Sequence, residues 1–121
     1  MIDILINLLL ISAVALFIYK RLAPAKGIRT ISTAELITEL KNKDKQFLDV
    51  RTPNEFKGNH IKGFKNIPLH DLQKKANGLS KDKEVIVICQ SGMRSSNATK
   101  VLKKMGFENI TNVKGGMGAW R

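Results

Sequence analysis

Glu84-Val85-Ile86-Val87-Ile88-Cys89 runs directly into Gln90-Ser91-Gly92-Met93-Arg94-Ser95-Ser96. The first half holds an unbroken β-branched run, the pattern of a strand covered on both faces. The second half begins as a short polar loop, Gln90 to Met93. A helix is expected from Ser95 to Met105, with Ala98, Val101, Leu102 and Met105 on one face and Gly106 ending it. A buried strand that feeds a helix belongs to an α/β fold around a mainly parallel sheet.

The flanking sequence repeats this alternation. Ile28 to Ile31 reads as a short strand, and Ser32 opens a helix to about Asn42. Ser32 with Glu35 forms a capping box, and Ala34, Leu36, Ile37 and Leu40 supply the apolar stripe. Gln46 to Val50 is an expected buried strand. Thr52-Pro53-Asn54-Glu55 is a second capping box, and Gly58-Asn59 keeps its helix short. A loop holding Gly63, Asn66 and Pro68 precedes a short helix from Asp71 to Ala76. Ile110 to Val113 is the last expected strand, and Gly115-Gly116 leads into a turn with Trp120. No internal repeat or low-complexity stretch interrupts this pattern.

Cys89 is the single cysteine, so no intramolecular disulfide can form. It is either a buried small hydrophobe or a reactive thiol. Its position favours the second. The C-terminal end of a parallel strand, ahead of a helix, is where α/β folds bind ligands. A loop curling around the sulfur would aim backbone N–H groups at it, and the helix N-terminus would add to that field. Such a cradle holds a thiolate at neutral pH. Gly92 relaxes the steric limits of a tight loop, and Arg94 brings a positive charge suited to an oxyanion.

Cys89 to Arg94 resembles the six-residue active-site loop of the rhodaneses. Asp49-Val50-Arg51 with Glu55-Phe56 resembles that family's D-V-R-x-x-x-E-[FY] signature. His60-Ile61, Gly63 and Asn66-Ile67-Pro68 resemble its H-I-x-G-x-x-N-I-P segment, and Gly115-Gly116 with Ala119-Trp120 its terminal G-G-x-x-A-W. These segments occur in family order over residues 29–121. The resemblance implies a three-layer α/β/α sandwich with a mainly parallel sheet. Three departures stand out. Asn59 replaces the glycine usual before the histidine, in a turn where Asn tolerates a left-handed conformation. Phe64 stands where a small residue is common, and the last helix is expected to be short or missing.

The resemblance also implies a chemistry. Cys89 would take sulfane sulfur from thiosulfate or a persulfide donor and pass it to a thiol or cyanide, by nucleophilic covalent catalysis without metal or organic cofactor. Gln90, Ser91, Gly92, Met93 and Arg94 would form the anion-binding loop, with Gln90, Ser91 and Met93 facing outward to tune substrate choice. Ser95 would support the loop. Asp49, Arg51 and Glu55 would act as a salt-bridged brace rather than as acids or bases. His60, His70 and Trp120 carry no distinctive signal for the site. Cysteine-dependent phosphatases and arsenate reductases use a similar cradle, but with five residues between Cys and Arg, whereas four stand here. A second alternative is a membrane-tethered sulfur carrier or docking module that serves a protein donor or acceptor.

Ile4 to Tyr19 (ILINLLLISAVALFIY) carries no charge. As a helix, such a stretch covers roughly 24 Å, slightly short of a hydrocarbon core of about 30 Å. Met1, Ile2, Leu22 and Ala23 can extend it, and Lys20 and Arg21 can snorkel. A cleaved signal peptide would need a positive n-region, but the chain opens Met1-Ile2-Asp3. A buried core helix is the other alternative, but apolar residues on every face suit lipid better. Residues 1–22 are therefore expected to be a single-pass anchor and 23–28 a linker. Lys20, Arg21, Lys26 and Arg29 follow the span and only Asp3 precedes it, which places the remaining domain in the cytoplasm at the cell membrane.

The formal net charge is +11, from 21 Lys and Arg against 10 Asp and Glu. These basic residues are spread along the chain and aromatics make up 6%. That argues against a nucleic-acid groove, where cations alternate with stacking rings. A solvated basic surface, anionic lipid or a small anion accounts for the balance.

Overall fold

The structure, a computed structural model, describes residues 1–22 and 27–120, apart from the side chains of residues 20–22. The expected linker, except Gly27 and Ile28, and the expected snorkelling of Lys20 and Arg21 lie outside the described residues, as does Arg121. Helix α1 spans Ile2–Leu22. Its Ile2–Tyr19 stretch has a mean hydropathy of 2.4 and none of it is buried. It is long and apolar enough to cross a membrane.

Five parallel strands follow: β1 (Ile28–Ile31), β2 (Gln46–Asp49), β3 (Lys65–Asn66), β4 (Val85–Ile88) and β5 (Ile110–Val113). They are ordered β1-β5-β4-β2-β3, so β4 lies at the centre. The helices are α2 (Thr33–Glu39), α3 (Pro53–Gly58), α4 (Leu72–Lys75), α5 (Met93–Lys104) and α6 (Gly116–Ala119). This is the expected α/β sandwich.

The side-chain alternation of β4 divides the core. Val85, Val87 and Cys89 join Leu72 and Ala76 beside α4 and Ala98, Leu102 and Phe107 of the α5 region. Ile86 and Ile88 point the other way, to Leu36 of α2, Ile61, Phe64 and Met117 of α6. All four β4 residues are fully buried, which is why the strand reads as one apolar run. Each such side chain stabilises the fold by about 1.5–3 kcal/mol through burial.

Both capping boxes form. Ser32 Oγ and Thr52 Oγ1 accept from the backbone N–H groups of Glu35 and Glu55. Helix α2 stops at Glu39, earlier than the expected Asn42, because Asn42 N–H folds back onto the Glu39 carbonyl and the Asn42 side chain accepts from Asp44 N–H. Helix α5 begins at Met93 rather than Ser95. Gly92 adopts φ +102° and reverses the chain in one residue, so the helix starts immediately after it. Strand β3 was absent from the expected elements: its two residues exist through pairing with Leu48 and Asp49. Asn59 is extended, at φ −169°, so the tolerance of Asn for a left-handed turn is not drawn upon. Its carbonyl instead accepts from the Arg51 guanidinium. Phe64 is buried and packs at 5.3 Å from the Phe47 ring. The last helix is the short α6.

Candidate active site

Cys89 follows the last residue of β4, at the C-terminal edge of the sheet and its centre. The next three residues curl back over it. Gly92 N–H donates to Cys89 Sγ at 2.9 Å, and the backbone N–H groups of Ser91 and Ser95 add to the field that favours its anion. Ser95 Oγ lies 3.3 Å from Sγ. Burial pushes the thiol up from its ordinary value of 9.0, but hydrogen bonding with the Ser95 side chain and with the Ser95, Gly92 and Ser91 backbones outweighs it. The net shift is downward, toward a thiolate. The N-terminal end of α5 contributes in the same direction.

Ser95 is held in turn. Its hydroxyl donates to Gly92 O at 3.1 Å and contacts Asn112 Oδ1 on β5. Cys89 has no exposed surface, whereas Gln90, Ser91 and Met93 are exposed and form the rim of the loop. Gln90 is not wholly outward: its Oε1 accepts from Arg51 Nη1 at 3.4 Å.

The four charged residues form two pairs. Arg51 and Asp49 are both buried and joined by Nη2 to Oδ2 at 2.9 Å and by bonds from Nε. Arg94 clasps Glu55 with both terminal nitrogens, at 2.6 and 2.9 Å. That clasp holds the Glu55 carboxyl down at about 2 and raises Arg94. Arg94 therefore ties α5 to α3, with its charge compensated, and still feels Cys89 electrostatically. An open groove of about 450 Å³ beside it is lined by Val50, Thr52, Pro68, Leu69, His70 and Arg94. His60 stacks on Phe56 at 3.9 Å with its Nδ1 2.9 Å from the Phe56 carbonyl, which occupies it locally. Trp120 is half-buried against the second core cluster.

Three supporting residues escaped the sequence reading. Asn66 donates to the carbonyls of Asp49 and Arg51 and fixes the end of β2. Asn112 anchors Ser95. Gly116 touches the loop itself: a methyl group placed on it would lie 2.1 Å from Cys89 O. Beside it, Met117 N–H donates to Cys89 O at 2.7 Å and Gly118 N–H to Gln90 O at 2.9 Å. The paired glycines were a signal for a turn, but not for which backbone they approach.

A profile described as Rhodanese-like domain matches residues 32–121. The chain belongs to the rhodanese-like family. YqhL of Bacillus subtilis, an uncharacterized protein, is 47% identical over 75 residues, which are 62% of this chain and 60% of YqhL. The chain thus spans less than two thirds of that relative. The putative sulfurtransferase YtwF of Bacillus subtilis is 42% identical over 94 residues, 77% of this chain and 90% of YtwF. A crystal structure of a rhodanese-like domain protein from Staphylococcus aureus superposes with a TM-score of 0.71 at 33% identity, over 77% of this chain and 91% of that one. The rhodanese-like domain and these relatives support sulfur transfer as the general class of activity.

Proposed function

We propose that this protein is a membrane-anchored sulfurtransferase that carries sulfane sulfur as a persulfide on Cys89. The observation that carries the reading is the curl of the loop over Cys89, which brings Gly92 N–H to 2.9 Å and Ser95 Oγ to 3.3 Å from Sγ. That geometry stabilises the thiolate and would equally stabilise the anionic persulfide.

In the first half-reaction the Cys89 thiolate attacks the outer sulfur of thiosulfate or a persulfide donor. A new S–S bond forms, the donor's S–S bond breaks, and sulfite or the donor thiolate leaves with the electron pair. In the second, an acceptor thiolate or cyanide attacks the terminal sulfur and releases the Cys89 thiolate. Neither step moves a proton at carbon or oxygen, so Asp49, Arg51 and Glu55 serve as positioning residues. Sγ is buried, so a donor reaches it through the rim of Gln90, Ser91 and Met93, and these residues select what enters.

Residues 1–22 anchor the chain in the cell membrane and 29–121 form the catalytic domain on the cytoplasmic side. The basic residues after the span favour this orientation. Intact-protein mass spectrometry after thiosulfate treatment tests the chemistry: the wild type gains one sulfur atom and Cys89→Ser gains none. A gain in both proteins, or in neither, refutes the assignment. A persulfide that forms but is passed to no small thiol or cyanide identifies the chain as a carrier for a protein partner.

A further inference from the structure

The sheet has two unlike edges. Every pairing is parallel, so all strands start at one edge and end at the other. Cys89 lies at the edge where strands end. Gly27, where the described chain resumes after α1, lies at the edge where they start, directly before Ile28 of β1.

Four residues separate Leu22 from Gly27. Five Cα–Cα steps cover at most about 18 Å. The starting edge therefore stays close to whatever surface α1 ends in. The side chain beside Gly27 is a lysine: a methyl group on Gly27 would lie 2.6 Å from Lys103 Nζ. Other lysines gather at the same edge. Lys41 and Lys43 lie in the turn leading into β2, Lys81 and Lys83 lead into β4, and Lys103 and Lys104 end α5. These segments touch one another. The Gln46 side-chain amide donates to Ser80 O, and Glu108 N–H donates to Lys81 O.

The edge also holds acids, and the strongest are already engaged. Glu39 at the end of α2 and Glu84 just before β4 pair with Arg29 of β1 and Lys45 just before β2 in a closed cluster. The six lysines named above are exposed and, among the described residues, have no ion-pair partner. Only Asp44, Asp82 and Glu108 remain to oppose them at this edge. Lys20, Arg21 and Lys26 add three more cations in the adjoining sequence.

We propose that the strand-starting edge, through Lys41, Lys43, Lys81, Lys83, Lys103 and Lys104, rests on anionic lipid headgroups. This rests on the reading of α1 as a membrane anchor. Tethering keeps the edge within about 18 Å of the surface, inside the screening length of about 30 Å at 0.01 M salt, and each cation that reaches the headgroups is attracted to them. The consequence is orientation. Four strand residues cover roughly 13 Å, so Cys89 faces away from the bilayer and is reached from water. Sulfur donors and acceptors of this site are then soluble molecules or domains rather than lipid-dissolved ones.

The test uses the full chain in nanodiscs of phosphatidylcholine alone or of an equimolar mixture with phosphatidylglycerol. Lysine acetylation is read residue by residue by mass spectrometry at low and high salt. In the anionic discs at low salt the six lysines are labelled about fivefold more slowly than in the neutral discs. Lys57 and Lys114, on the Cys89 side, are unchanged. High salt removes the difference. Equal labelling of the six in both lipids, or equal protection of Lys57 and Lys114, overturns the proposal. A parallel alkaline carbonate wash of vesicles separates the two readings. A chain that is washed off ends the anchor reading and this one with it. A chain that stays, without lysine protection, ends this one alone.

Discussion

Gly116→Ala examines whether the C-terminal segment shapes the sulfur cradle. The added methyl group would sit 2.1 Å from Cys89 O and 2.9 Å from Cys89 C and Gln90 C. Those atoms are backbone, so no rotamer change relieves the overlap. Gly116 also has φ +56°, where an alanine costs about 1–2 kcal/mol. The segment must back away, which breaks the bonds from Met117 and Gly118 to the Cys89 and Gln90 carbonyls. Each is worth about 0.5–1.5 kcal/mol net. The expected loss is about 2–5 kcal/mol of stability, read by urea unfolding followed through Trp120 fluorescence in detergent. The same displacement loosens the residues that begin the cradle. The midpoint of the pH dependence of Cys89 alkylation should therefore move upward. Gly63→Ala is the control. It has φ +98° and nothing within 4 Å of the added methyl, so it carries the conformational cost and leaves the thiol alone. A Gly116→Ala protein with wild-type stability and thiol titration refutes the reasoning.

Ser95→Ala removes a hydrogen bond that lowers the Cys89 thiol, so its alkylation midpoint rises and persulfide formation near neutral pH slows. Because the folded thiol lies below its ordinary value of 9.0, the wild type is stabilised relative to Cys89→Ser increasingly as pH climbs toward 9.0. That advantage disappears as pH falls through the folded value, and paired urea titrations across this range measure it. Glu55→Gln loses the clasp with Arg94. The carboxyl is held at about 2 against 4.5, so the clasp contributes fully above 4.5 and is lost as pH falls toward 2. Both side chains are about a third exposed, which limits the contribution to roughly 1 kcal/mol, visible as a smaller acid sensitivity of unfolding in the variant. Arg51→Ala strands the fully buried Asp49 carboxylate and should cost about 3–5 kcal/mol in the same unfolding assay.

The buried Asp49–Arg51 pair and the partly exposed Glu55–Arg94 pair thus play different parts. The first cannot lose a single partner cheaply, because desolvation makes either charge alone costly. The second is a weak tie across solvent, and its value is geometric: it holds the first turn of α5 against the N-terminus of α3. Neither pair supplies a donor to Sγ. The cradle is built from loop backbone groups and the Ser95 hydroxyl, and of these only the hydroxyl is removed directly by a side-chain substitution.

Local chemistry was legible in the chain from the start. Both capping boxes, the β-branched run of β4, the strand-to-helix junction at Cys89 and the apolar span of α1 are written in neighbouring residues, because each depends on contacts within a few positions. What lay out of reach was which groups meet from a distance, beyond the general expectation of a salt-bridged brace. Asn112 meets Ser95 across 17 positions, and Arg94 meets Glu55 across 39. Gly116 presses on the carbonyl of Cys89, and β3 exists only beside β2. Propensity and periodicity report what a segment prefers alone, and a two-residue strand or a glycine under a carbonyl has no preference to report. Packing of the parallel sheet decided those, and with them which groups surround the sulfur.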